Sequence, residues 1–402
     1  MSRELPDWSD GYLEYTKNSE PPTIYHRWGA MAVIAGALQR KVHLRMGFER
    51  IYPNLYVVLV GHSGRTRKGV ALDIAYKMLS TVATVSIAPE ASSRQAIILA
   101  MKRAMSNFED PITGTIQIQC PLTAFPEELA VLLGRGDIEL LANLTDWYNS
   151  KDEWSYETIS RGRDALQGLC LNLFGATAPD WIQSMLPQEA VGGGFTSRVI
   201  FVVAENKRAT VPEHNLTNQE VMLGEMLSRD LERINQLKGQ FHYTPDGREA
   251  YIAWYTEQDR LLGKGQPAID DQRFAGYCER RATHLRKLMM LMSASRGDSL
   301  DLSVDDFERS RQLLVTTEGK MHKTFGGLGK APLSDVNANV LAYIQAMGIT
   351  TRSNLLVKFH RDLDSQALRT LEELMDQMKV VRIKLLPDNR EKIYEWIGPV
   401  KE

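Results

Sequence analysis

The sequence predicts an α/β fold: a three-layer αβα domain on a mainly parallel sheet, then a small domain of three helices and a hairpin. Three observations predict it. Apolar, β-branched runs of strand length alternate with helical patterns between residues 51 and 205, as βαβ units require. The first run (Tyr56, Val57, Val58, Leu59, Val60) ends in a Gly-rich, basic turn that opens a helix. A Gly/Pro-rich stretch, FGGLGKAP at 325–332, then separates this region from the C-terminal patterns.

Composition sets the bounds. The 402 residues have room for two or three domains. Hydrophobic content of 43% and charged content of 24% are ordinary for a globular chain. A net charge of −2 excludes a uniformly basic nucleic-acid glove, so any DNA contact needs local patches or a ring of subunits. Cys120, Cys170 and Cys278 lie far apart, which argues against zinc or a disulfide framework and fits a reducing cytoplasm. The polar N-terminus, MSRELPDWSDGYLEY, does not read as a signal peptide. No run approaches the ~20 apolar residues of a membrane span, so no membrane partner is expected.

Residues 1–50 read as a helical lead-in, with Trp28, Met31, Ala32, Ile34, Ala35 and Leu38 forming an apolar stripe for packing on the core. Residues 51–240 form the expected core, with strands at 55–60, 83–88, 115–125, 169–176 and 198–204. Residues 206–240 read as a polar connector and an amphipathic helix. Residues 241–325 read as a helical lid, carrying Leu285, Leu288, Met289 and Leu291 on a strongly apolar helix. After the linker, residues 333–402 give helices at 335–346, 351–359 and 365–378, then strands 380–386 and 392–397 around PDNRE. That is the order of a winged helix.

The chemistry begins at Gly61–Val70. Strand, Gly-rich turn, lysine and helix is the physical recipe for gripping a triphosphate. Turn amides and the helix N-terminus attract the anion, and the lysine reaches its outer phosphates. Gly61, Ser63, Gly64, Thr66, Arg67, Lys68, Gly69 and Val70 are the expected ATP-binding residues. The turn is one residue longer than the standard P-loop, Arg67 replaces the second glycine, and Gly69 replaces the Ser/Thr that binds magnesium. A solvated basic turn fits the same residues.

Such a site also needs an acid, a polar sensor and a cation for charge on the leaving phosphate. The strand IQIQCPLTAF runs into Glu127 and Glu128, which suit either that acid or a helix first turn. Thr177 ends an apolar strand where a sensor would stand, or is an ordinary turn hydroxyl. GGGFTSRVIFVV places Ser197 and Arg198 at the mouth of a strand, where Arg198 could reach a neighbouring subunit as an arginine finger or simply cap the strand. CERRATHLRKLMML puts Arg280, Arg281, His284 and Lys287 on one polar helix face, read as solvated or as a second sensor. Asp146 could support the site. Trp147, Tyr148, Trp154 and Tyr156 could stack on bases or belong to the core.

SRVIFV after a glycine loop resembles the arginine-finger segment of minichromosome maintenance helicases, and LSVDDFERSRQLL resembles the helix after their second-sensor region. More of the chain, roughly residues 10–320, resembles the phage and prophage primase-helicase ATPases of the AAA+ class. YPNLYVVLVGHSGRTRKGVA, FPEELAVLLG, LTDWY, LFGATAPDWI and GGGFTSRVIFV carry the likeness. It implies an AAA+ P-loop core with helical lid and winged helix. Lys68 becomes the phosphate lysine, Glu128 the Walker B-type acid, Thr177 sensor 1, Arg198 the finger and Arg281 the second sensor. ATP and Mg²⁺ are the implied cofactors, with magnesium held by Glu128 and by Thr66, Ser63 or water. The implied activity is ATP-dependent DNA unwinding or translocation in phage or mobile-element replication. The partners would be a homo-oligomeric ring (a hexamer), single-stranded or forked DNA, and a primase or other replisome protein. With no zinc ribbon or primase acidic cluster, priming itself is not expected. Arg352, Arg361, Arg369 and Lys384 are the expected phosphate contacts of the winged helix, and pore loops are expected in 135–163. A nucleotide-binding loader without turnover, or a DNA-binding regulator with an ATPase switch, fits the same motifs.

Overall fold

The structure, a computed structural model, describes residues 3–89, 93–111, 113–134, 137–158, 162–179, 181–182, 193–213, 215–325, 334–360, 363–385 and 391–398. The chain divides into two compact units, residues 1–326 and 327–402. The division falls within the Gly/Pro-rich stretch.

The first unit is mixed α/β. It opens with helices α1 (Trp8–Tyr15) and α2 (Thr23–Leu38), then a hairpin of β1 (Val42–Met46) and β2 (Glu49–Ile51). Strand β3 (Tyr56–Val60) leads into helix α3 (Lys68–Ser80), followed by α4 (Arg94–Arg103), β4 (Ser106–Glu109) and β5 (Ile116–Ala124). Helices α5 (Leu129–Leu133) and α6 (Ile138–Trp147) precede the hairpin β6 (Glu153–Thr158) and β7 (Gly162–Gln167). Strands β8 (Leu169–Thr177) and β9 (Val199–Val203) complete the main sheet. Its order is β4-β5-β8-β3-β9, with β5, β8, β3 and β9 parallel and β4 antiparallel at the edge. Every residue of β3, β8 and β9 is buried. This burial explains their mainly apolar sequences, with the buried Asn172 of β8 accepting from Leu55 N at 3.0 Å, and requires cover on both faces.

The strand expected at 83–88 shrinks to one parallel bridge, Ile87 to Thr123, with Ala88 N donating to Thr123 O at 2.9 Å. Four strands were not legible in the sequence as a sheet. They are β1, β2, β10 (Gly239–Tyr243) and β11 (Asp301–Leu302), in the order β11-β10-β1-β2. Each is short, and partners such as Val42 and Gly239 are far apart in sequence. Tertiary packing, not local pattern, pairs them.

The expected lid does not stand apart. Helices α7 (Asn218–Gln236) and α9 (Ala275–Arg296) pack against α1 and α2, while α8 (Pro245–Gly263) packs on α10 (Val304–Met321), all within the same compact unit. Trp28 Nε1 donates to Thr317 Oγ1 at 2.9 Å, tying the lead-in to α10. Helix α9 is buried on most of its circumference, including Arg281, His284 and Lys287. Of the two readings of these residues, the solvated face does not hold for Arg281, His284 and Lys287; Arg280 is half-buried.

The second unit runs α11 (Ser334–Met347), β12 (Ile349–Thr351), α12 (Arg352–Lys358), α13 (Ser365–Met378), β13 (Val381–Leu385) and β14 (Lys392–Trp396). Its antiparallel sheet has the order β12-β14-β13. Val340, Ile344, Leu355, Leu368, Leu371, Met375 and Tyr394 form its core. Glu372 is buried there and bonds to Lys392 and to the Tyr394 hydroxyl. Arg352 lies near Glu372 and Lys384 pairs with Glu395 at 2.9 Å, whereas Arg369 is exposed. Arg361 lies outside the described residues. Among the described residues no helix is long and apolar enough to cross a membrane.

Candidate functional site

Strand β3 ends at Val60 and α3 begins at Lys68, so residues 61–67 make the turn. A Cβ on Gly61 would lie 2.5 Å from Thr66 Oγ1 and 2.7 Å from Tyr25 Oη, so the close approach requires glycine. Behind it, Tyr25 Oη donates to Val60 O at 2.8 Å. Gly64 turns with φ +69°. Arg67, standing where the P-loop has its second glycine, adopts φ +55°, a left-handed conformation that costs a side chain about 1–2 kcal/mol. Its Nε donates to Glu20 Oε2 at 2.7 Å, which holds the strained residue from outside.

Lys68 opens α3 and is only 9% exposed. Its Nζ donates to Gly61 O at 2.6 Å, folding the ammonium back across the turn. Burial lowers its pKa, and the nearby Glu128 carboxylate opposes that shift. The amides of Gly64, Thr66, Lys68 and Gly69 donate to no described residue. Free amides, a helix N-terminus and a half-desolvated ammonium together favour a bound anion.

The acid comes from the strand one place removed. After β5, Pro126 crosses close over β8: a Cβ on Gly175 would meet Pro126 Cγ at 2.9 Å, and Ala176 N donates to Pro126 O at 3.0 Å. This crossing sets Glu128 beside Thr177, the last residue of β8, whose Oγ1 donates to Glu128 Oε1 at 3.1 Å. Gly61 N in turn donates to Thr177 O at 3.3 Å. Lys68, Gly61, Thr177 and Glu128 thus form one cluster at the carboxyl ends of parallel strands, where open α/β sheets bind ligands. The Gly175–Pro126 approach was missed in the sequence. A glycine inside an apolar strand is the signal that marks such an approach.

Several expected residues lie elsewhere. Thr66 is fully buried under Gly61 and faces the protein, so it is corrected from magnesium ligand to structural support. Ser63 and Glu127 are exposed, and Glu128 alone of the acidic pair meets Thr177. Gly69 brings no hydroxyl, and Val70 is 43% exposed at the edge of a groove of about 700 Å³ along α3, α7 and Tyr15. Asp146 pairs with Lys151 at 2.5 Å. Trp147 and Tyr148 are core residues; Trp154 and Tyr156 stack on the β6–β7 hairpin.

Arg281 donates to both Glu318 oxygens, at 2.6 and 2.7 Å, and to Gln258, and makes no bond to the turn. The second-sensor expectation is thereby corrected: the guanidinium is committed to a buried carboxylate. Arg198 precedes β9, whereas Val60 and Val203 pair at the opposite end of the sheet. Five strand residues at ~3.3 Å each separate it from its own turn by ~16 Å. It is buried, not presented at the strand mouth as expected. The turn at Gly194 folds back so that Arg198 Nη1 donates to Gly194 O at 2.6 Å.

The donor set suits magnesium through Glu128, since that cation keeps several waters and shares phosphate oxygens. Among the described residues, no three His, Cys, Asp or Glu side chains cluster to hold a metal by themselves. No protein-family model matches the chain, and a search of curated proteins finds no significant relative.

Proposed function

We propose that the chain is an ATP-dependent, ring-forming DNA helicase or translocase of phage or mobile-element replication. The observation that carries the reading is the convergence of Lys68, Glu128 and Thr177 at the carboxyl ends of β3, β5 and β8. In this reading the turn amides and Lys68 hold the phosphates of ATP. Glu128 would hold Mg²⁺ and orient the attacking water. Magnesium, when bound, neutralises charge that builds between the outer phosphates.

Lys68, Glu128 and Thr177 include no arginine to meet charge on the leaving phosphate in the transition state. Arg198 can serve a site only on another subunit, because its own lies at the far end of the sheet. The ring reading therefore needs the Gly193–Gly194 turn to open at a subunit interface. The second unit, with its helix, strand, helix, helix and two-stranded hairpin order, is read as a winged helix that binds DNA or a replisome partner such as a primase. Steady-state ATPase with and without single-stranded DNA is the test. DNA-stimulated turnover abolished by Lys68→Ala supports the reading.

One observation favours a second reading. With Thr66 buried and Gly69 in the hydroxyl position, the turn offers magnesium no side-chain oxygen of its own apart from exposed Ser63. A loader that binds ATP without hydrolysing it fits that turn. Nucleotide binding without turnover would select it.

A further inference from the structure

A second electropositive feature of the first unit lies outside the Lys68 cluster. The β1–β2 hairpin closes through two residues, Gly47 at φ +59° and Phe48. Phe48 stands fully in solvent at 110% relative exposure, the most exposed large apolar side chain among the described residues. Arg45 and Arg50 flank it. Below the hairpin lies a hollow of about 430 Å³ between β2 and α9, lined by Arg50, Tyr148, Arg280, Arg286 and Lys287. A second hollow of about 390 Å³ adjoins it, shares Arg50, Tyr52 and Asn149, and adds Arg45 and Phe48. The two adjoin at these three shared residues and are read together as one groove.

The charges along that groove are uncompensated. Among the described residues, none of Arg45, Arg50, Arg280, Arg286 or Lys287 has a carboxylate oxygen within 4 Å. The two acids on the walls do not change this. Asp152 is bound to Arg40, and Glu49 is exposed on the hairpin. Arg286 lies over the Tyr251 ring at 4.8 Å, and its Nε is buried without a hydrogen-bond partner. Lys287 is 3% exposed and donates only to Asn54, at 2.8 and 2.6 Å. The four guanidinium groups of Arg45, Arg50, Arg280 and Arg286, brought together without counter-charge, repel one another unless an anion joins them.

A single phosphate is too small to meet cations spread over two hollows, and it has no use for an exposed phenyl ring. A phosphodiester chain with unpaired bases meets both. Successive phosphates track the cations while a base stacks on an aromatic ring, the general means of holding single strands. We propose that the groove from Phe48 to the Arg286 side of α9 binds single-stranded nucleic acid, with Phe48 as the stacking platform. This takes the polymer from the helicase reading above but does not depend on ATP turnover.

The test is fluorescence anisotropy of a labelled oligo(dT), longer than the ~4–16 nucleotides such grooves cover, on the full chain over a salt series. ATPase is measured on the same preparations. Phe48→Ala is expected to weaken binding about tenfold or more. The Arg50→Ala/Arg286→Ala double variant is expected to lower the slope of log K against log salt by about 1.4, two phosphates' worth. Phe48 and Arg50 are exposed and distant in role from the Lys68 cluster, so basal ATP turnover stays as in the wild type and reports a folded chain. If the wild type binds oligo(dT) and both variants bind equally well, the groove inference is overturned while the helicase reading stands. Displacement by inorganic phosphate at concentrations that saturate a small-anion site, with no dependence on oligonucleotide length, overturns it in favour of such a site. Absence of any oligo(dT) binding with ATPase intact overturns both the groove and the DNA partner.

Discussion

Thr177 Oγ1 donates to Glu128 Oε1 at 3.1 Å, joining the end of β8 to the segment that follows β5. The bond fixes a carboxylate beside Lys68 and leaves one of its oxygens for water or metal. Glu128→Gln keeps the shape and removes the charge. Under the proposed ATPase reading, turnover is expected to fall at least a hundredfold, with ATP affinity changed far less, because the charge would matter most to the activated water. Thr177→Ala should give a smaller loss of kcat. Equal loss of binding and turnover in both would refute this division of roles.

Gly61 has no room for a methyl group, since the nearest atoms would lie 2.5 and 2.7 Å away. Gly61→Ala should cost about 1–3 kcal/mol as an overpacked site. It should also displace Thr66 and with it the turn amides. Denaturant unfolding measures the first effect and nucleotide titration the second. Gly64→Ala meets no neighbour and strains only φ, so it should be the milder change.

Arg281 and Glu318 are 8% and 4% exposed and share two hydrogen bonds. Removing one partner leaves a buried charge unpaired, so Arg281→Ala should destabilise the fold by about 3–5 kcal/mol. Arg281→Met combined with Glu318→Leu should recover most of that loss. A nucleotide sensor would behave differently: Arg281→Ala would leave unfolding unchanged and lower turnover alone.

Two buried histidines predict acid sensitivity. Burial lowers the pKa of His284 to about 3, with Lys287, Arg280 and Arg198 adding to the shift, and burial with Arg208 does the same for His26. Unfolded histidine binds its proton near pH 6.5. The unfolded state therefore takes up protons first as pH falls. Stability is lost from about pH 6.5 down to about 3, at ~1.4 kcal/mol per pH unit for each histidine. His284→Gln should remove about half of this slope in denaturant melts between pH 6.5 and 5. Lys287, lowered by burial to about 7, gives the same sign at higher pH. Its unfolded form stays protonated to about 10.4, so stability rises between about pH 7 and 10, and Lys287→Met should flatten that rise.

Arg198 cannot reach its own Lys68 cluster, which makes subunit sharing testable. Lys68→Ala and Arg198→Ala should each abolish turnover, and mixing the two should restore a fraction of it through interfaces that pair one intact lysine with one intact arginine. A mixture as inactive as its components would assign Arg198 to packing, where its bond to Gly194 O already places it.

The main sheet was largely legible from local pattern. Strands 56–60, 116–124, 169–177 and 199–203 fall within a few residues of the expected runs, because strands buried on both faces are mostly apolar; only the first three residues of 116–124 leave the interior. The turn before Lys68 was legible as a turn, because glycines at 61 and 64 end the apolar run and a helical pattern follows. The sheet formed by β1, β10, β11 and β2 was not, since its partners are brought together only by the folded chain. Nor could sequence tell that Arg281 and Lys287 face inward. A helix with cations among leucines looks amphipathic until its neighbours are known, and here Glu318 and Asn54 receive those cations. The sequence by itself determined where the Gly-rich, basic turn between β3 and α3 would form. Tertiary structure alone decided which carboxylate meets it and which arginines stay free to act, because charge pairing depends on distances between segments that no local pattern encodes.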